Sequence, residues 1–258
     1  MTKIISWNVN GLKHVMDNGF LKFINEENPD IICLQETKLK EPAVAKIFEP
    51  LTRSYSLNCT SSVREDKFPY SGVATLSKKK PSWISKTFGS NQFDMEGRIL
   101  ISEYPDFVLY NCYFPTGASK PKYQDMKRAF YSECYSALNK SIDEGKSVII
   151  CGDFNTARDV LDVANASQKK KTSGFLPEDR DDLEKLFSLG LVDAFRKINA
   201  DRVEYTWWHN YPGVKEKNLG WRIDYFLVSP DLENSIKDCS HKKETFGSDH
   251  CPILLEIS

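Results

Sequence analysis

Apolar residues in this chain come in short runs bounded by polar or glycine-containing stretches, a pattern that predicts strands more than long helices. Eight runs stand out, at residues 3–8, 31–35, 72–77, 99–103, 108–113, 147–151, 223–228 and 252–257. Three stretches with helical spacing, at about 19–27, 122–144 and 178–189, predict helices. The first is ended by Pro29. The last opens just after Pro177, with Glu178, Asp179, Asp181 and Asp182 in its first turn, where carboxylates suit the helix dipole, and Gly190 suits its C-cap. Some strand neighbours are hairpin-like and others are separated by helices, so the pattern predicts an α/β protein with more than one sheet. No Pro/Gly/Ser-rich linker divides the chain, which reads as one domain over residues 1–258. One internal echo links KIISWNVNG with VIICGDFNT, each an apolar strand followed by polar residues two apart. Duplication and chance both account for it.

The ends of the runs carry the chemistry. In an extended segment, side chains two apart project to the same side. Asn8 and Asn10 therefore share a face after the first run, and Asp153 and Asn155 do so after the sixth. Glu36 follows the second run, Tyr113 closes the fifth before YFPTG, Asp224 sits near the start of RIDYFLV, and Asp249-His250 precede the last run. Gly152 reads as the point where the chain leaves the sheet. One such end is a turn; six together suggest one assembled site.

Glu36 with Asn8, Asn10 or Asp249 offers hard oxygen ligands, suited to Mg²⁺ or Mn²⁺ rather than Zn²⁺. Asp153 is a candidate base for activating water, with Asn155 orienting that water or an oxyanion. His250, as imidazolium, could stabilise a phosphoryl oxygen, with Asp224 or Asp249 orienting it. Tyr113 could donate to a phosphate or manage a proton. The set fits metal-assisted hydrolysis of a phosphate ester. Each residue also has a plainer reading. Glu36 could be the first exposed position after a buried strand, Tyr113 a core aromatic with a wet tip, and His250 a structural histidine. Asp224 is harder to dismiss, because it lies within an apolar strand and needs a partner there.

Composition narrows the picture less. Lys and Arg total 35 against 36 Asp and Glu, so no overall basic field argues for a passive DNA-coating protein. The lysine runs at 78–80 and 169–171 suit solvated loops. Seven cysteines, odd in number and without a C-x-x-C pair, argue against a disulfide framework or zinc site and for a reducing, intracellular setting. The expected location is cytoplasmic, or nuclear in a eukaryote. The N-terminus enters a strand at once without signal-peptide character, and no apolar run is long enough to span a membrane. Phosphate-loop, dinucleotide, zinc-helix and nucleophile-elbow motifs are absent.

SWNVNGL, LQETK, YSGVA, EGR, YFPTG, CGDFNTA, SGFLPEDR, YTWW, LGWRIDYFLVS and GSDHCPI follow one another in the order found in exonuclease III-type apurinic/apyrimidinic endonucleases. The chain resembles that family over residues 3–257. G-D-x-N and S-D-H are shared across the wider endonuclease/exonuclease/phosphatase superfamily, including phosphoinositide phosphatases and sphingomyelinases; LGWRIDY and YTWW discriminate better. The resemblance implies a DNase I-like four-layer α/β sandwich, with two mixed β-sheets face to face and helices outside. It implies a Mg²⁺-dependent DNA repair endonuclease (Mn²⁺ as substitute) that cuts 5′ of abasic sites in double-stranded DNA and leaves a 3′-hydroxyl and a 5′-deoxyribose phosphate. Accompanying 3′→5′ exonuclease or 3′-phosphatase activity and a monomeric state are also implied.

The implied catalytic residues are Tyr113, Asp153, Asn155, Asp224 and His250. The implied metal set is Asn8, Glu36, Asp153, Asn155 and Asp249. Trp207, Trp221 and Ile223 would receive the extruded deoxyribose, Tyr70 and Arg98 would meet the backbone, and Tyr211 would stand where relatives intrude into DNA. Departures fall at Asn10, where some relatives have Asp; at Thr116, where many have Asn; and at Ser119, where some have Arg, with Lys120 and Lys122 nearby. A phosphatase for a small or lipid phosphate and a catalytically silent damage binder are the competing readings.

Overall fold

All eight apolar runs form strands in a computed structural model of the chain, which describes residues 1–63, 70–89, 91–117 and 121–258. Ser119 and Lys120 lie outside the described residues. Twelve strands occur among those described: β1 Thr2–Asn8, β2 Ile31–Gln35, β3 Ser56–Thr60, β4 Val73–Ser77, β5 Trp83–Ser85, β6 Ile99–Glu103, β7 Val108–Tyr113, β8 Val148–Asp153, β9 Val192–Asp193, β10 Asp224–Val228, β11 Ile236–His241 and β12 Ile253–Ile257. They form two six-stranded mixed sheets, ordered β11-β12-β1-β2-β4-β3 and β5-β6-β7-β8-β10-β9.

Period-two alternation explains how the layers stack. Along β1, Ile4 faces the other sheet, whereas Ile5 and Trp7 face helices. Along β8, Ile149 and Cys151 face inward, and Val148 and Ile150 face outward. Three apolar layers result. One lies between the sheets and includes Ile4, Cys33, Leu109, Cys151, Phe226 and Leu255. A second packs the first sheet against helices Leu12–Asp17, Phe20–Glu27 and Glu41–Phe48. The third packs the second sheet against helices Pro121–Asp143 and Pro177–Phe187. The architecture is thus the expected four-layer sandwich.

Each sheet has one parallel pair near its centre, β1 with β2 and β7 with β8, and each of β1 and β8 has an antiparallel strand on its other side. The two echoing segments therefore occupy equivalent places. Following the inward faces to the carboxyl ends of these strands leads to Asn8 on β1, Tyr113 on β7 and Asp153 on β8. Asp224 begins β10 directly opposite Asp153 in the ladder. The polar residues converge because each inward apolar row stops at the same end of the sandwich.

One expectation is corrected. β8 does not end before Gly152; it runs through it to Asp153. Gly152 has φ 133°, and a Cβ there would lie 1.9 Å from the Cys112 carbonyl oxygen, so the glycine lets the parallel neighbour approach. The helix predicted at 178–189 spans Pro177–Phe187, and Gly190 follows in the left-handed region at φ 83°.

Candidate active site

Asp153 is 1% exposed and almost fully engaged. Its Oδ1 accepts the backbone N–H of Asn155 at 2.8 Å, and its Oδ2 accepts from Asn8 Nδ2 at 2.9 Å and Asn155 Nδ2 at 3.2 Å. His250 Nε2 lies 3.8 Å from Oδ2. Asn8 also donates to Glu36 Oε1 at 2.8 Å, while its own amide oxygen accepts the Asn10 N–H at 3.0 Å. Asn8 thus presents a nitrogen, not an oxygen, to the carboxylates. Asn10 donates to Asp249 Oδ1 at 2.8 Å and accepts from Lys38, which also pairs with Glu36 at 2.9 Å.

Three strand ends at this site leave the sheet through left-handed non-glycine residues: Asn10 at φ 44°, Glu36 at 53° and Asn155 at 49°. Such conformations are uncommon for non-glycine residues, and at these three positions they accompany the turn of the chain out of the sheet beside the cleft.

His250 donates from Nδ1 to Asp224 Oδ2 at 2.8 Å. Thr206 Oγ1 donates to the same oxygen at 2.6 Å and accepts the N–H groups of Ile223 and Asp224, which fixes the carboxylate's orientation. Ser248 Oγ donates to the Asn8 carbonyl at 2.7 Å and accepts the His250 N–H at 3.1 Å, tying this loop to β1. Thr206, Ser248 and Lys38 lie inside the quoted motifs YTWW, GSDHCPI and LQETK, yet the sequence assigned them no role. Motif membership was the available signal.

The electrostatics follow from burial and crowding. Burial, aided by the Asp224 and Glu36 carboxylates and opposed by His250, pushes the Asp153 carboxyl up to about 7. Burial works against a charged His250, but the Asp224 and Asp153 carboxylates outweigh it and raise the imidazolium to about 10. Burial and the Glu36 and Asp153 charges hold the Tyr113 phenol well above its ordinary range, although Arg98 opposes them. Tyr113 is therefore a neutral donor rather than a phenolate.

Glu36, Tyr113, Asp153, Asn155, Asp249 and His250 line one cleft of about 370 Å³, together with Asn10, Thr116, Trp207, Trp221 and Ile223. Backbone bridges join Trp207 to both Trp221 and His250, which sets the indoles beside the polar cluster. Trp207 Nε1 donates to Asp249 Oδ2 at 3.0 Å, and the two indoles meet edge to face with centroids 6.4 Å apart. Phe175 packs edge-on behind Trp221. Asp224 and Asn8 sit behind the cleft wall as buried supports.

The expected contact residues divide. Tyr70 is half-buried, with the Arg98 guanidinium 5.7 Å from its ring centroid. Arg98 is only 5% exposed, bonded through Nε to Glu96 Oε2 at 2.6 Å and set 4.7 Å from the Tyr113 ring centroid. It supports two aromatic rings and does not reach the surface. Tyr211 is 67% exposed, lies outside this cleft, and stacks on His209 with centroids 3.8 Å apart.

Glu36, Asp153 and His250 each place a ligand atom within 4.8 Å of the others. The oxygens suit a hard divalent cation. His250 suits it less, because its ring is committed to Asp224 and held charged. No helix among the described residues is long and apolar enough to cross a membrane.

Comparisons with known proteins agree with this geometry. The profile of the endonuclease/exonuclease/phosphatase family matches residues 5–250. A DNA-(apurinic or apyrimidinic site) endonuclease of Dictyostelium discoideum is 36% identical over 99% of this chain and 70% of its own length. An exodeoxyribonuclease of Bacillus subtilis is 36% identical over 99% of both chains. The structure of a 3′ phosphatase from Neisseria bound to a product DNA hairpin superposes with a TM-score of 0.89 at 25% identity, covering both chains in full.

Proposed function

The chain belongs to the endonuclease/exonuclease/phosphatase family, and from that premise we propose that it is a DNA repair endonuclease that hydrolyses the phosphodiester 5′ to an abasic site in duplex DNA, leaving a 3′-hydroxyl and a 5′-deoxyribose phosphate. One observation carries the reading: the polar hydrolytic cluster and an apolar wall of Trp207, Trp221 and Ile223 line the same cleft. A wall of that kind suits a base-free sugar turned out of the duplex, and a site without its base is the least costly to extrude. A 3′→5′ exonuclease or 3′-phosphatase activity accompanies it, since a strand end presents the same phosphate chemistry to the same groups; the Bacillus and Neisseria proteins carry those names.

In this reading Asp153 takes the proton of the attacking water. Asn8 and Asn155 hold its oxygens in place, and its raised pKa suits a base working near neutrality. His250, kept as imidazolium by Asp224, faces the phosphoryl oxygen with positive charge, and neutral Tyr113 donates a hydrogen bond to the phosphate. The family is metal-dependent. Glu36, whose carboxylate lies within 4.8 Å of Asp153, would supply the oxygen for Mg²⁺, with Mn²⁺ as substitute and Asp249 in the same cleft, while Asn8 aims Glu36 and, with Asn155, holds Asp153 as the base. The chemistry supplied there by a bound cation would be Lewis-acid polarisation of a phosphoryl oxygen and charge stabilisation of the leaving group. The Trp207–Trp221 wall argues against a phosphatase for a small or lipid phosphate.

The test is incision of a duplex oligonucleotide carrying one tetrahydrofuran abasic analogue, with Mg²⁺ and with EDTA. A cut on the 5′ side of the analogue that EDTA abolishes is expected. No Mg²⁺-dependent cut there would refute the proposal.

A further inference from the structure

A charge pair is buried behind Asn155. Lys127, on helix Pro121–Asp143, and Asp179, on helix Pro177–Phe187, have side chains 1% and 0% exposed, with Nζ 2.9 Å from Oδ1. A buried pair of this kind is a weak source of net stability, because loss of hydration offsets much of the attraction. Its further bonds are more informative. Lys127 Nζ donates to the backbone carbonyl of Asn155 at 2.8 Å. Asp179 Oδ2 accepts the Gly174 N–H at 2.7 Å, and Oδ1 accepts from Gln124 Nε2 at 2.6 Å. Asn155 and Gly174 both line the cleft, and the Ala157 N–H joins them by donating to the Gly174 carbonyl at 2.8 Å.

Asn155 needs such a hold. Its backbone is left-handed at φ 49°, and its amide must donate both to Asp153 Oδ2 and to the Phe114 carbonyl at 2.9 Å. A small rotation of the 155 peptide would swing that amide off the carboxylate. We propose that Lys127 and Asp179 are positioning residues for the hydrolysis: one buried ion pair fixes Asn155 from behind and the Gly174 wall beside it, and so holds the amide against Asp153. The inference rests on the incision reading above. Neither residue touches the substrate; the pair acts through two backbone groups, and misplacement on the order of 1 Å at a reacting centre can cost about 10²-fold in rate.

The test uses the full chain and the tetrahydrofuran duplex. Single-turnover cleavage in Mg²⁺, duplex affinity in EDTA and melting temperature are measured for wild type, Lys127→Arg, Asp179→Asn and the neutral double variant Lys127→Met/Asp179→Leu. The double variant is expected to fold, lose about 10- to 100-fold in cleavage rate and keep its affinity within about threefold. Lys127→Arg, which retains a donor for both acceptors, is expected to stay within about fivefold of wild type. Wild-type cleavage by the double variant overturns the proposal, as does a rate that falls only in proportion to lost affinity or lost folded protein. Should the double variant not fold, Asp179→Asn decides: slower cleavage at unchanged affinity supports the role, and a wild-type rate overturns it. Absence of incision by the wild type would instead refute the incision reading on which the inference rests.

Discussion

The ends of β1 and β8 are built alike and do different things. In each, the last inward residue accepts the N–H of the residue two further on, Asn8 from Asn10 at 3.0 Å and Asp153 from Asn155 at 2.8 Å. In each, that second residue is a left-handed asparagine. Each strand also has one parallel and one antiparallel neighbour near the centre of its sheet. The difference lies in one functional group. Asn8 carries a neutral amide that donates to Glu36 and Asp153; Asp153 carries the carboxylate that receives. Equivalent backbones carry complementary halves of one hydrogen bond, so in the proposed reading the first sheet aims and the second reacts.

Making the two ends alike should break the site. Asp153→Asn removes the proposed base while retaining side-chain volume, and about 10²–10⁴-fold loss of single-turnover cleavage is expected, with abasic-duplex affinity largely kept. Near-wild-type turnover would remove Asp153 from its role. The reverse change, Asn8→Asp, sets a third carboxylate against Glu36 and Asp153 in place of two N–H donors. A loss of about 10- to 10²-fold is expected, shrinking as pH falls, because protonating one member of a crowded carboxylate set relieves the repulsion. A pH-independent loss would point to packing instead.

The smallest effect is the pH dependence of the wild type. As the proposed base, Asp153 works unprotonated; burial pushes its carboxyl up to about 7, so cleavage should fall as pH drops through about 7. It should hold on the alkaline side until the imidazolium of His250 discharges near 10. A rate flat from pH 5 to 8 would contradict this assignment.

Legibility in the sequence followed burial. The eight runs read as strands are the interior strands of the two sheets. The four unread ones, β3, β5, β9 and β11, are the four edges. Edge strands need no continuous apolar run: SLNCT and IKDCSH place polar residues on a half-solvated ribbon, and VD is too short to show a period. The short helices Leu12–Asp17 and Ala194–Ile198 were missed because one or two turns show too little periodicity. At the site, strand-end residues such as Asp153 and Asp224 were visible because a carboxylate against an apolar run is conspicuous. Thr206, Ser248 and Lys38 were not, because a hydroxyl or lysine in a loop looks ordinary until its partner is placed. Lys127 and Asp179 were hidden for another reason. On helices they pass for solvated charges, and Asp179 in a first helical turn looks like one serving the helix dipole. Gly152 looks in sequence like an exit from the sheet, whereas its constraint comes from Cys112 on a strand far away in sequence.

The proposed action on abasic DNA requires the hydrolytic cluster and the apolar wall to work as one site in the cleft they share. It is tested most directly by end-labelled duplexes identical except at one internal position, which holds either a tetrahydrofuran abasic analogue or an intact nucleotide, incubated with Mg²⁺ and mapped at nucleotide resolution. One internal cut is expected, at the phosphate 5′ to the analogue and ending in a 3′-hydroxyl, at least about 10²-fold faster than cleavage at the same phosphate in the intact duplex. Equal internal cleavage of both duplexes, or none in either, would contradict it.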